Sequence, residues 1–308
     1  MVATATALGR HPVGSRLVAT HSSSAASSAE VLYNPTVWIN GRLAAADDPV
    51  LTATDHGLTT GDGIFETCKI DGGRAFAVGR HLARLHRSAA ALGLEVPVTD
   101  DELRGAFQAV INADRVTSGK LRLTLTGGLA PLGSGRAAGP ATVIVATAPG
   151  LAAGPPSPVI TVPWPRNERG ALAGVKSTSY AENVLALSRA HQAGASEALF
   201  PNTRDELCEG TGTNVFVVLD GQLVTPPLDS GCLAGVTREL VLETSGAAEA
   251  TVPMGRVPDI TEAFLTSSTR DVQAISAIDG RPLPVVDGPL TVAAADAFAT
   301  LEAKTIDP

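Results

Sequence analysis

Four dipeptides, Asn40-Gly41, Asp71-Gly72, Asp220-Gly221 and Asp279-Gly280, constrain the fold more than any other feature of the chain. Asn-Gly and Asp-Gly accept the positive backbone torsions of two-residue hairpins. Asn40-Gly41 separates Val37-Trp38-Ile39 from Arg42-Leu43-Ala44, and Asp71-Gly72 separates residues 65–70 from Ala75-Phe76-Ala77. Asp220-Gly221 separates Asn214-Val215-Phe216-Val217-Val218 from Gln222-Leu223-Val224, and Asp279-Gly280 predicts one more pair near the C-terminus. Sheet meanders therefore open both halves of the chain.

Between the hairpins the apolar residues recur at helical spacing. Residues 80–92 place Leu82, Leu85 and Ala89 on one face and His81, Arg84 and Ser88 on another, and residues 100–113, 181–194, 238–244 and 292–304 read the same way. Strands and helices that are partly segregated predict an α+β fold rather than a repeating βαβ pattern. The Pro- and Gly-rich stretch 149–158 predicts a linker between a smaller α/β unit, 31–148, and a larger unit, 159–308. Residues 1–30 are rich in Ala, Ser and Thr with no acidic residue before Glu30, which predicts a disordered extension in preference to an organellar transit peptide.

With 308 residues, 44% of them hydrophobic, the chain is long enough to bury at least one sizeable core. A net charge of -8, no basic block and few aromatic residues argue against a nucleic-acid groove. Any anion must therefore be held by local groups such as helix N-termini and single arginines. No stretch approaches the roughly 20 apolar residues of a membrane span, so a soluble protein is expected. Cys68, Cys208 and Cys232 have no C-x-x-C spacing, which speaks against disulfides or a metal site and for a reducing, cytoplasmic location.

Several residues carry candidate chemistry, each beside a plainer reading. Lys176 ends the small apolar run 171–175, where desolvation makes an amine nucleophilic; a lysine at a strand end is more often solvated. Glu209 lies in a glycine-rich turn before an apolar strand, and a turn residue is the simpler explanation. Gly235-Val236-Thr237-Arg238 opens a helix whose free N–H groups suit a phosphate, although Thr237 as a mere cap is the commoner case. Thr266-Ser267-Ser268-Thr269 offers a run of hydroxyls, and Arg84 a positive charge; a turn and a solvated arginine are the alternatives.

Taken in order, these segments resemble the fold-type IV (class IV) pyridoxal 5′-phosphate (PLP) enzymes, which include branched-chain aminotransferases, D-amino-acid aminotransferases and 4-amino-4-deoxychorismate lyases. The resemblance runs from about Val37 to Asp271. It includes Asp55-His56-Gly57 with Gly61-Asp62-Gly63-Ile64-Phe65-Glu66, His81-Leu82-Ala83-Arg84-Leu85, Val175-Lys176, Glu209-Gly210, Gly235-Val236-Thr237 and Thr266-Ser267-Ser268-Thr269. It implies a two-domain fold with PLP at the domain interface and a homodimer that completes each site. By the same resemblance Lys176 is the Schiff-base lysine and Glu209 meets the pyridine nitrogen. Arg84, Val236, Thr237, Ser267 and Ser268 then hold the phosphate, and Tyr180 approaches the phenolic oxygen, one position earlier than the tyrosine of branched-chain aminotransferases.

Within the family the reading is a 4-amino-4-deoxychorismate lyase, yielding 4-aminobenzoate and pyruvate for folate synthesis, with Thr67 passing a proton to the departing group. The D-amino-acid branch places Arg and His where Leu132 and Ser134 stand, so its carboxylate trap is missing. A class IV aminotransferase acting on branched-chain or other amino acids is the alternative, since Glu66 after Phe65 fits both branches. A non-catalytic PLP-fold protein comes third, because Lys176 and Glu209 are both retained. Arg122, Arg136, Arg166, Arg169 and Arg270 are the candidates for the carboxylate of a small amino-acid-like substrate.

Overall fold

A computed structural model describes residues 34–48, 50–151 and 154–308. The expected N-terminal extension, 1–30, lies outside the described residues, as does part of the expected linker.

The first sheet is built from β1 (Thr36–Ile39), β2 (Arg42–Ala45), β3 (Gly63–Asp71), β4 (Arg74–Ala75), β5 (Gly119–Thr126) and β6 (Thr142–Pro149). Its strands are antiparallel in the order β2-β1-β6-β5-β3-β4. A short helix, α1 (His56–Thr60), precedes β3, and α2 (Val78–Leu92) and α3 (Asp100–Asp114) cover one face of the sheet. Leu82 and Leu85 of α2, Leu103, Phe107 and Val110 of α3, and Leu121 and Leu123 of β5 form that core. Thr99 and Glu102 start α3 with a reciprocal capping box, which satisfies two N–H groups that helix geometry leaves without partners.

The second sheet has nine strands, β7 (Ser157–Thr161), β8 (Glu197–Pro201), β9 (Leu207–Gly210), β10 (Asn214–Leu219), β11 (Gln222–Thr225), β12 (Ala248–Glu249), β13 (Glu262–Ser267), β14 (Asp271–Ile278) and β15 (Arg281–Pro282). The strand order is β12-β11-β10-β13-β14-β7-β8-β9, with β15 beside β14. The pairs β11–β12, β14–β7 and β7–β8 are parallel. Three helices complete this half: α4 (Ala181–Gln192), α5 (Val236–Ser245) and α6 (Pro289–Lys304).

Strand β10 shows why its sequence is a continuous apolar run. Val215 and Val217 face one core with Leu265 and Ile275, whereas Phe216 and Val218 face another with Leu240 of α5 and Phe298 of α6. A strand covered on both faces has no polar alternation to display. Its register partner on β13 sets Phe216 against Phe264, with ring centroids 4.9 Å apart and nearly parallel.

Three hairpins turn where expected, with positive φ at Asn40-Gly41, Asp220-Gly221 and Asp279-Gly280. The other turns one residue later than predicted. Gly72 and Gly73 take the positive torsions while Asp71 stays in β3 opposite Arg74, because two glycines enter that region without a Cβ penalty. Helix α5 likewise begins at Val236, two residues before the periodicity reveals it. In α2 the polar face is buried as well as the apolar one: His81, Arg84 and Ser88 are 1%, 5% and 4% exposed. Arg84 is therefore not the solvated arginine that its helix position alone favours.

Candidate active site

The peptide around Lys176 is joined directly to the first sheet. The Phe65 N–H donates to the Lys176 carbonyl at 2.9 Å, and the Thr178 N–H donates to the Gly63 carbonyl at 2.8 Å. Gly63 permits this approach, since a Cβ there would lie 2.7 Å from the Leu125 carbonyl oxygen. The lysine is thus fixed where β3 meets the chain that leads into α4. Its side chain enters a cavity of about 550 Å³.

Every residue that the resemblance assigns to catalysis or to the cofactor lines that cavity: Lys176, Thr67, Tyr180, Glu209, Arg84, Val236, Thr237, Ser267 and Ser268. The two-residue period of β3 explains part of this convergence. Phe65 and Thr67 face the cavity, while Ile64 and Cys68 face the core beneath α2. Thr67 pairs in register with Arg122 of β5, which also lines the cavity.

Electrostatics differ from one end of the cavity to the other. The Lys176 ammonium is 4.4 Å from the Phe65 ring centroid. Removal from bulk water, helped by the charges of Arg84 and Arg122, pushes its pKa down to about 8. Burial holds the Glu209 carboxyl above the usual carboxylate range. Arg166, whose Nε is 3.2 Å from Glu209 Oε1, and the Leu233 N–H, which donates to Oε2 at 2.9 Å, act against that rise. Arg166 is itself steadied by Asn183 at 3.0 Å and by the Phe200 ring at 4.0 Å. Tyr180 donates its hydroxyl to the Thr211 carbonyl at 2.8 Å and sets its ring edge-on to Phe65; burial pushes its phenol up to about 12.

At the other end α5 points its N-terminus at the cavity with no side chain capping it. The N-cap is Gly235, where a Cβ would collide with Asn214 Oδ1, so backbone N–H groups rather than a side chain are presented. Beside it the Thr266 hydroxyl is buried and has no hydrogen-bond partner among the described residues. Arg84 is held by Glu66, donating from Nε at 2.9 Å and from Nη2 at 2.6 Å, and Nη1 donates to the Ala234 carbonyl at 2.9 Å. Glu66 is 1% exposed, and its pKa falls to about 2 because Arg84 and His81 outweigh the cost of burial.

The donor set fits PLP. One residue offers an amine for an aldehyde, one a carboxyl group for a ring nitrogen, and the far end offers N–H and O–H donors for a phosphate. The orphaned Thr266 hydroxyl and the bare helix terminus are the features that an anion would complete.

The five arginines considered as carboxylate partners separate cleanly. Arg136 is committed to Asp62, through Nε at 2.6 Å and Nη2 at 2.5 Å, and to the carbonyls of Leu92 and Gly93. It ties the loop after β5 to the end of α2 and does not line the cavity. Arg270 bonds Gln273 and the Ser196 carbonyl, and the Arg169 side chain is 83% exposed. Arg166 belongs to Glu209. Arg122 alone combines a place in the cavity wall with no carboxylate partner among the described residues; its guanidinium lies 3.7 Å from the Phe65 centroid and donates only to Thr124 at 3.3 Å.

What sequence reasoning missed is the pairing around the lining: Glu66, behind the cavity wall, is joined to both Arg84 and His81, and Arg166, considered for a substrate carboxylate, sits beside Glu209. The i, i+3 spacing of His81 and Arg84 signals a shared helix face, but the carboxylate that they share comes from β3.

A family model described as Amino-transferase class IV matches residues 63–278. A Methanocaldococcus jannaschii protein provisionally assigned as a branched-chain-amino-acid aminotransferase is 30% identical over 254 residues, covering 80% of this chain and 88% of its own. The D-alanine aminotransferase of Bacillus licheniformis is 30% identical over 274 residues, covering 83% and 93%. Among solved structures, a T.th. branched-chain amino acid aminotransferase with pyridoxamine 5′-phosphate superposes with a TM-score of 0.82 at 26% identity over 90% of this chain and 96% of that one. A Legionella pneumophila protein provisionally assigned as 4-amino-4-deoxychorismate lyase gives 0.77 at 26% identity over 83% and 95%. With a cavity whose donors suit PLP and a family match that spans both sheets, the chain belongs to the class IV aminotransferases, shares their two-domain fold and uses PLP as its cofactor.

Proposed function

We propose that this protein is an aminotransferase that moves an amino group between a small carboxylate-bearing amino acid and a 2-oxo acid. The observation that carries the reading is the pairing of Lys176 with Arg122 across one Phe65 ring: an amine of lowered pKa and a cation without a carboxylate share one cavity. The relatives named as aminotransferases support the reaction class.

PLP, when bound, supplies an aldehyde for the substrate amine and a ring that draws electron density from the carbon bearing it. Lys176 takes the proton from that carbon and can return it, a task suited to an amine whose pKa of about 8 lies near the working pH. Glu209, whose ionised form Arg166 favours against the effect of burial, is the group for the ring nitrogen, and Tyr180 the group for the phenolic oxygen. The N–H groups of Val236 and Thr237, the hydroxyls of Ser267 and Ser268, and Arg84 form the phosphate end. Arg122 receives the substrate carboxylate. The division into units 31–148 and 159–308, a cytoplasmic location and a homodimer belong to the same proposal; exposed Leu58, Leu129, Leu132, Val184 and Leu185 support a subunit contact.

Purified holoenzyme mixed with an L-amino acid panel and 2-oxoglutarate is expected to form the matching 2-oxo acid and glutamate in equal amounts. Arg122→Met is expected to raise KM roughly 10- to 100-fold, the worth of one charge-assisted hydrogen-bond pair. No transamination with any donor or acceptor would overturn the reading.

The lyase is the second reading, favoured by Thr67 in the cavity wall opposite Arg122. Pyruvate and 4-aminobenzoate formed from aminodeoxychorismate with no 2-oxo acid present would establish it in place of the first. The D-amino-acid branch has a relative in the D-alanine aminotransferase of Bacillus licheniformis, but the Arg and His of its carboxylate trap are replaced here by Leu132 and Ser134, neither of which lines the cavity.

A further inference from the structure

The phosphate end of the cavity is electrically balanced by its own side chains. Arg84 is the cation there, and both its Nε and Nη2 are held by the buried Glu66 carboxylate. A phosphate monoester brings between one and a half and two negative charges at neutral pH, roughly. The N-terminus of α5 offsets about half a charge. A dianion entering this end therefore meets a shortfall of positive charge.

The side chain placed to meet it is His81, which is 1% exposed and does not line the cavity. Its Nδ1 is 2.7 Å from Glu66 Oε2, and its Nε2 is 3.4 Å from the Ser268 hydroxyl. The carboxylate keeps a proton on Nδ1, so in the neutral ring Nε2 is a lone pair. The Ser268 hydroxyl then points its hydrogen back at the imidazole and away from the cavity. The charged groups facing His81 are Glu66 from β3, Arg84 from its own helix and Lys176 from the segment before α4; Ser268, after β13, is uncharged. Burial together with the two cations outweighs Glu66 and keeps the ring below its usual pKa.

We infer that His81 takes up one proton from solvent when a phosphate monoester dianion occupies this end of the cavity, and that Ser268 transmits the change. One N–H bond forms at Nε2 and no covalent bond breaks. Nε2–H donates to Ser268 Oγ, and the hydroxyl hydrogen turns to a phosphate oxygen. His81 is thus a positioning residue that acts through Ser268. The inference rests on the reading of Arg84, Ser267 and Ser268 as the phosphate end.

The test is nitrogen NMR of the full chain labelled at its six histidines, freed of PLP and titrated at pH 8 with 4-deoxypyridoxine 5′-phosphate. That probe keeps the ring and phosphate but lacks the aldehyde, so Lys176 stays unlinked. One histidine is expected to pass from the neutral pattern, with a pyridine-like Nε2, to the imidazolium pattern as the probe binds; pyridoxine, without the phosphate, is expected to leave it neutral. His81→Asn or, should that fail to fold, His81→Gln is expected to remove the signal and to weaken probe binding about tenfold with little change for pyridoxine. If the probe binds, Arg84→Met weakens it, and every histidine keeps its charge state, the inference fails while the phosphate reading stands. If Arg84→Met leaves probe affinity unchanged, the phosphate reading fails first.

Discussion

Lys176→Ala is expected to abolish the covalent hold on PLP and to reduce turnover by roughly 10⁴-fold or more, the upper range for loss of a positioned proton-transfer group. The variant is expected to fold, because Lys176 is fixed to β3 through its backbone carbonyl at 2.9 Å and its ammonium rests on the Phe65 ring rather than in an ion pair among the described residues. Borohydride reduction followed by peptide mass spectrometry checks the assignment. The wild-type protein should carry a pyridoxyl adduct on the peptide containing residue 176, and the variant none. An adduct on another lysine, or a variant that keeps its turnover, would refute Lys176 as the reacting amine.

Glu66→Gln is expected to have the largest effect on stability. Glu66 accepts both arms of Arg84 and faces Nδ1 of His81 in a site excluded from water. Removal of one partner from a buried ion pair leaves the other charge without compensation, which costs roughly 3–5 kcal/mol. For a chain of this size that corresponds to a fall of roughly 10 °C in Tm. The sign of the pH dependence follows from the depressed pKa. Glu66 ionises at about 2 in the folded chain against an ordinary 4.5, so its contribution is complete above the ordinary value and fades as pH falls from there toward 2. The gap in Tm between wild type and variant should therefore be full at pH 6 and narrow steadily below pH 4.5. A gap that is absent at pH 6, or constant down to pH 2.5, would contradict the ion-pair account.

Much of the site was legible because its residues act through local geometry. Glu209, Gly235 and the hydroxyl run 266–269 each sit at the end of a strand or the start of a helix, where side chains and unpaired backbone groups are presented to a ligand, and Lys176 lies in the irregular segment between β7 and α4. Such ends leave marks in sequence: a glycine before a helix, a polar run after an apolar strand. Arg84 was recognisable as a site residue but not as a buried one. Its position on α2 says that it shares a face with His81 and Ser88, and only the packing of that face against β3 makes it the partner of Glu66. Arg136 was the converse case, a candidate ligand that proves to be a clamp on Asp62 at 2.5 and 2.6 Å. Arg122 read as one member of a strand pattern. Its neighbour in space, Phe65, is 57 positions away in sequence, and β3–β5 pairing brings them together.

Local chemistry therefore determined the turns, most of the strand and helix segments and the α+β class, because torsional preference and apolar period act over a few residues. Tertiary structure decided which charges are free and which are neutralised: Arg84 and Arg136 are matched by carboxylates from other elements, while Arg122 is left facing the cavity. Charge pairing depends on separation and burial, and both are set by how the two sheets and their helices come together rather than by any neighbour along the chain.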